Sequence, residues 1–254
     1  MGPRLLPRGL LIAFEGIDGA GKTTQASRLA ANLRAMGIEV VESKEPTNGH
    51  LGTELRRSAS TGRLSPEREL ELFVLDRREH VRNLIEPALA DGKVVIVDRY
   101  YFSTAAYQGA RGMDFESILL LNESFAPQPD ILFILEVSPP TGRARIAARG
   151  DRANLFEDES ALAASAAIFA RINRPYVHRL NGNWSVSELE HVISDVALHE
   201  IDAHVSRPTH DESAITQGDL LSTAESVEND DSIPTTEKAQ TLLAKLKMRA
   251  ATAS

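Results

Sequence analysis

Gly16-Ile17-Asp18-Gly19-Ala20-Gly21-Lys22-Thr23 matches G-x-x-x-x-G-K-[ST] at every fixed position. The apolar run Leu10-Leu11-Ile12-Ala13-Phe14 precedes it, as in a strand buried on both faces of a parallel sheet. Ala26, Leu29, Leu33 and Met36 follow at helical spacing, and Gly37 stops the pattern. A strand, a glycine-rich loop and a helix form the context that separates a phosphate loop from a turn bearing a surface lysine. The glycines let backbone N–H groups turn inward around a phosphate, and the helix N-terminus adds partial positive charge. Residues 16–24, including Ile17, Ala20 and Thr24, are therefore expected to hold the phosphates of a nucleotide. Lys22 is expected on the β- and γ-phosphates, and Thr23 on Mg²⁺.

Outward from this loop, residues 38–41, 94–97 and 131–137 read as further buried strands. Ser65-Pro66 opens a long helix to about residue 90, with a disturbance expected at Pro87. Pro139-Pro140 starts another helix, carrying Arg143, Arg145 and Arg149. Residues 160–180 are Ala-rich and read as helix for most of their length, and Asn181-Gly182 as a turn. Ser185-Val186-Ser187-Glu188 is a capping box for a helix reaching about residue 201. No clear fifth strand is visible between these last two helices, and Trp184 is the candidate for one. Strands alternating with helices predict an α/β, three-layer α/β/α P-loop NTPase fold around a parallel sheet of about five strands.

The 254 residues are 42% hydrophobic and 25% charged, enough apolar surface for a sizeable core. Lys and Arg number 28 against 36 Asp and Glu, a net charge of −8. That opposes binding of duplex nucleic acid or an anionic membrane by bulk charge. Cysteine is absent, which excludes a disulfide frame and thiolate chemistry. No apolar stretch near the start reaches the length of a signal core, so a cytoplasmic protein without membrane or nucleic-acid partners is expected. Composition turns polar and acidic near His204. Residues 1–202 thus read as one domain. Residues 203–254 read as a disordered tail, with a short helix expected over 238–249.

Asp98 ends the strand at 94–97 and can hold a metal directly or through water. Arg99 follows it, placed to grip another phosphate. No Asn-Lys-x-Asp base-reading motif exists, and Asp98-Arg99 stands where motor ATPases carry two acids, so phosphoryl transfer to a small acceptor leads over switching. Phe73, Arg77 and His80 share one helix face. An aromatic plane one turn from a guanidinium can stack on a base and donate to a base carbonyl. The bland alternatives are core packing for Phe73 and a solvated position for Arg77, whose neighbours Asp76, Arg78 and Glu79 are charged.

Four stretches together resemble the thymidylate kinase family, in family order over about residues 8–202. They are Phe14 to Gln25, Lys44-Glu45-Pro46-Thr47, Leu72 to His80, and Asp98-Arg99-Tyr100 with Ser103, Thr104, Ala106, Tyr107, Gln108 and Gly109. The resemblance implies transfer from ATP-Mg²⁺ to dTMP, making dTDP for dTTP synthesis, in a homodimer. It implies that Arg99 grips the acceptor phosphate, Phe73 stacks on thymine and Arg77 donates to its O4. Thr104 would contact the base edge, with Glu45, Ser103 and Gln108 among the substrate contacts. Tyr107 would exclude a ribose 2′-hydroxyl, and Asp18 would reach the 3′-hydroxyl or the metal. It also implies an arginine-bearing lid, and Arg149 or Arg152 is the residue expected to close over the transferring phosphate. Other readings are a kinase for another deoxynucleoside monophosphate or a deoxynucleoside, and a non-catalytic nucleotide-binding module. Intact Lys22, Asp98 and Arg99 oppose the last.

Overall fold

The computed structural model describes residues 5–148, 150 and 159–206. Five strands, β1 (Leu10–Glu15), β2 (Val40–Lys44), β3 (Val94–Asp98), β4 (Ile131–Glu136) and β5 (Val177–Asn181), form one sheet in the order β2-β3-β1-β4-β5. Every pairing is parallel. β1 is central and its side chains divide between two cores. Leu11 and Ala13 enter the core on one face, while Leu10, Ile12 and Phe14 enter the core on the other. Burial on both faces explains why this strand reads as an unbroken apolar run.

The helices are α1 (Lys22–Ala35), α2 (His50–Thr61), α3 (Pro66–His80), α4 (Glu86–Ala90), α5 (Tyr101–Gly109), α6 (Phe115–Glu123), α7 (Pro139–Ala148), α8 (Glu159–Arg171) and α9 (Val186–Ser206). α1 ends in a Schellman motif. Gly37 takes φ 80°, its N–H reaches Arg34 O at 2.9 Å, and Ile38 N–H reaches Leu33 O at 3.0 Å. Ser65 caps α3 by accepting from Arg68 N. A single π turn, Val81–Ile85, joins α3 to α4. The helical path therefore does run to Ala90, but its disturbance lies in the turn before Pro87, the ladder shifting by one residue ahead of the missing N–H. The capping box before α9 is complete: Ser185 N donates to Glu188 Oε2 at 2.8 Å and Glu188 N to Ser185 Oγ at 3.2 Å.

Four expectations need correction. The helix read over 160–180 stops at Arg171, since Asn173-Arg174-Pro175 cannot continue it. The fifth strand is Val177–Asn181, and Trp184 lies beyond it in the turn to α9. The second strand begins at Val40 and reaches Lys44, later than the apolar pattern suggested. α9 continues to Ser206, past the composition change at His204. The tail expected after it, and the short helix at 238–249, lie outside the described residues. No helix among the described residues is long and apolar enough to cross a membrane.

The register puts the site together. Phe14 and Lys44 both pair with Asp98, so β1, β2 and β3 finish at one level. Glu15, Glu45, Asp98 and Arg99 thereby emerge side by side at the carboxyl edge of the sheet, where open α/β sheets place their ligands.

Candidate active site

The phosphate loop wraps the start of α1, whose N-cap is Gly21 at φ 101°. Lys22 is buried, and its Nζ donates to the carbonyls of Gly16 at 2.9 Å and Ile17 at 2.8 Å. Burial, joined by the charge on Arg99, pushes the Lys22 ammonium down to about 8, against the pull of Asp18, Asp98 and Glu15. Thr23 and Thr24 are exposed in the first turn of α1. The Thr23 hydroxyl donates to Asp98 Oδ2. Asp98 Oδ1 is buried and has no hydrogen-bond partner among the described residues.

That orphaned oxygen beside a hydroxyl fits a hard divalent cation, which takes oxygen ligands. Among the described residues there is no cluster of three or more acidic or histidine side chains.

Next to this loop lies a cleft of about 190 Å³. Asp18, Glu45, Phe73, Arg77, Arg99, Ser103, Thr104 and Tyr107, all expected from sequence, line it together. Gln108 does not join them. It is buried on α5, and its Nε2 donates to Glu69 Oε2 at 2.8 Å. Arg149 and Arg152, the expected lid arginines, lie outside the described residues. Of the other basic residues there, Arg143 pairs with Glu159 at 2.8 Å. Arg145 donates to Gly182 O at 2.9 Å and Gly19 O at 3.4 Å, joining the phosphate loop to the turn before α9.

Arg77 is fully buried, not solvated, and the charged run around it misleads. Its Nε and Nη2 donate to Glu45 Oε2 at 2.8 and 2.6 Å, its Nη1 to Asn122 Oδ1 at 2.6 Å, and its Nη2 to Thr104 Oγ1 at 3.0 Å. Glu45 Oε1 meets His80 Nδ1 at 2.9 Å, and His80 Nε2 meets Ser43 Oγ at 2.8 Å. Burial alone would raise the Glu45 carboxyl, but Arg77 and His80 outweigh it and hold Glu45 below the usual carboxylate value.

Arg99 has φ 69°, the one non-glycine with positive φ among the described residues. Its N–H bonds Phe14 O at 3.0 Å. Its Nη2 reaches Asp18 Oδ1 at 2.5 Å and its Nη1 reaches Ser103 Oγ at 3.0 Å. Burial would weaken its charge, but Asp18, Tyr107, Asp98 and Glu15 more than compensate, so the guanidinium stays cationic. Tyr107 donates from its hydroxyl to Asp18 Oδ2 at 2.9 Å, and its ring lies 5.4 Å from the Arg99 guanidinium carbon.

Sequence reading missed α2 entirely, and with it Leu55, Arg56 and Ala59, which close one side of the cleft. Arg56 Nη1 is held by the carbonyls of Pro46 and Thr47 at 2.8 and 2.7 Å. Its sequence, His50 to Thr61, ends in Ser58-Ala59-Ser60-Thr61 and has no side-chain cap. The Leu51/Leu55 spacing was the available signal.

A family model described as thymidylate kinase matches residues 14–193. A thymidylate kinase of Xanthomonas euvesicatoria pv. vesicatoria is 54% identical over 197 residues, covering 76% of this chain and 87% of the relative. One of Xanthomonas campestris pv. campestris is 55% identical over 179 residues, covering 70% and 78%. One of Xylella fastidiosa is 50% identical over 175 residues, covering 69% and 80%.

Proposed function

The chain belongs to the thymidylate kinase family, and from that premise we propose how its side chains move a phosphoryl group. It is a phosphotransferase that uses ATP to phosphorylate dTMP, the step toward dTTP. A phosphate oxygen of dTMP forms a bond to the γ-phosphorus, the bond to the β–γ bridging oxygen breaks, and ADP departs with that electron pair. The attacking oxygen is already anionic, so no strong base is required. The barrier lies in bringing two polyanions together, which positioned cations relieve.

The loop glycines and Lys22 hold the donor phosphates, with Lys22 exchanging its two carbonyl acceptors for phosphate oxygens. Thr23 and Asp98 hold Mg²⁺, which when bound neutralises charge on the donor phosphates. Arg99 holds the acceptor phosphate, with Asp18 and Tyr107 beside it. Phe73 stacks on the base, while Arg77 and Thr104 meet its polar edge. Tyr107 crowds the 2′ side of the sugar. Arg149 and Arg152 remain the proposed lid cations, and a homodimer the proposed assembly.

The observation that carries this reading is the convergence of Phe73, Arg77, Arg99 and Tyr107, from α3, the β3–α5 turn and α5, on one cleft beside the phosphate loop. An ADP-release assay over a panel of monophosphates and nucleosides tests it. The expected result is turnover led by dTMP. Equal turnover with a deoxynucleoside, or none with dTMP, would contradict it.

A further inference from the structure

Beneath the acceptor arginine lies a carboxylate to which the mechanism above gives no part. Glu15, the last residue of β1, is fully buried. Its Oε1 accepts from the backbone N–H of Tyr100 at 2.7 Å and of Ser103 at 3.0 Å. Its Oε2 accepts from the Ser103 hydroxyl at 2.5 Å. Tyr100 is the N-cap of α5 and Ser103 its third residue, and the Tyr100 side chain makes no capping bond. A capping box satisfies these same two N–H groups with two side chains of the helix itself. Here one carboxylate from the neighbouring strand takes both.

The network then reaches the cleft. Ser103, its proton committed to Glu15, offers its oxygen to Arg99 Nη1 at 3.0 Å. Arg99 meanwhile holds a left-handed backbone, which a residue with a Cβ keeps only where its surroundings impose it. The residues on either side of that strained position are both tied: Asp98 O accepts from Glu45 N at 3.1 Å, and Tyr100 N donates to Glu15.

We propose that Glu15 is a positioning residue for the acceptor-phosphate arginine. It caps α5 from the adjacent strand and, through Ser103, sets the direction of the Arg99 guanidinium. This rests on the reading of Arg99 as the contact to the dTMP phosphate. A glutamine at position 15 separates the two roles. Its oxygen can still accept both backbone N–H groups. Its NH₂ must donate to Ser103, so the serine proton loses its carboxylate acceptor and the charge-assisted link beneath Arg99 is lost while the cap remains.

Steady-state kinetics of the full chain test this with Glu15→Gln, Ser103→Ala, the double variant and Arg99→Ala. Glu15→Gln is expected to raise KM for dTMP by about tenfold, the size of one charge-assisted hydrogen bond, with KM for ATP unchanged. Ser103→Ala is expected to do the same, and the double variant to be no worse than the worse single, because both cut one relay. An unchanged KM for dTMP in folded Glu15→Gln, additive effects in the double variant, or equal rises in both KM values would overturn the proposal. If Glu15→Gln does not fold, Ser103→Ala decides by the same comparison of the two KM values. If Arg99→Ala leaves KM for dTMP unchanged, the acceptor reading falls and the proposal with it. A raised value in Arg99→Ala beside an unchanged one in Glu15→Gln overturns the proposal alone.

Discussion

Glu45 receives two N–H groups of Arg77 on a single carboxylate oxygen, at 2.8 and 2.6 Å, and neither side chain is open to solvent. Its other oxygen faces His80. The pair joins the segment after β2 to α3 at the wall of the cleft. Removing one partner of a buried pair strands the other charge, which costs about 3–5 kcal/mol. Glu45→Ala is therefore expected to lower Tm by many degrees and to weaken dTMP binding together with it, as read by thermal unfolding and KM.

The same pair sets an acid limit. The Glu45 carboxyl titrates below its ordinary value of 4.5 in the folded protein, so in acid the unfolded chain binds more protons there. The stability it supplies is complete above about 4.5 and drains away as pH falls further. Glu45→Gln lacks this titration. Unfolding followed from pH 6 down to pH 3 should give a flatter acid limb for the variant than for the unmodified chain.

Tyr107 bears on sugar choice in two separable ways. Its hydroxyl holds Asp18 at 2.9 Å, and its ring lies on the cleft wall. Tyr107→Phe should lose about 1 kcal/mol, several-fold in kcat/KM for dTMP, and still reject the ribonucleotide because the ring stays. Tyr107→Ala should lose that rejection. The kcat/KM ratio for the deoxy- and ribonucleotide reads both.

Gly142 in α7 packs directly on the phosphate loop. A Cβ there would stand 2.5 Å from Asp18 O, and one on Gly19 would stand 2.2 Å from Gly142 O. Gly142→Ala should force α7 away from the loop at a cost of about 1–3 kcal/mol. Thermal unfolding and kcat should both fall, while loss of neither would show that the contact yields freely.

Asp98 presents one oxygen to Thr23 and one buried oxygen without a partner. Asp98→Asn should raise the Mg²⁺ concentration needed for half-maximal activity, since a neutral amide is a poorer ligand for a hard cation. Mg²⁺ titration at saturating nucleotide checks this.

Local features were legible in the sequence where one contiguous stretch carries them. The strand, loop and helix from Leu10 to Met36 show a buried run, glycines and helical spacing in order, and the structure forms all three. β5 was not legible because it lies at the sheet edge, pairs only with β4, and has partly exposed residues instead of an apolar run. α2 was hidden by a Ser/Thr-rich end and a missing cap. The burial of Arg77 was illegible for another reason. Its partners Glu45 and Asn122 are 32 and 45 residues away, and only the sheet register and α6 bring them near. The trans cap from Glu15 to α5 spans 85 residues and leaves no local trace.

The central claim is that the cleft beside the phosphate loop holds the acceptor, with Arg99 on its phosphate. The most direct measurement follows ATP labelled at the γ-phosphate, with dTMP, in the unmodified chain and in Arg99→Ala. The account predicts label in dTDP, and for Arg99→Ala a KM for dTMP raised at least about tenfold with KM for ATP little changed. Label released as inorganic phosphate regardless of dTMP, or an Arg99→Ala enzyme with an ordinary KM for dTMP, would contradict it.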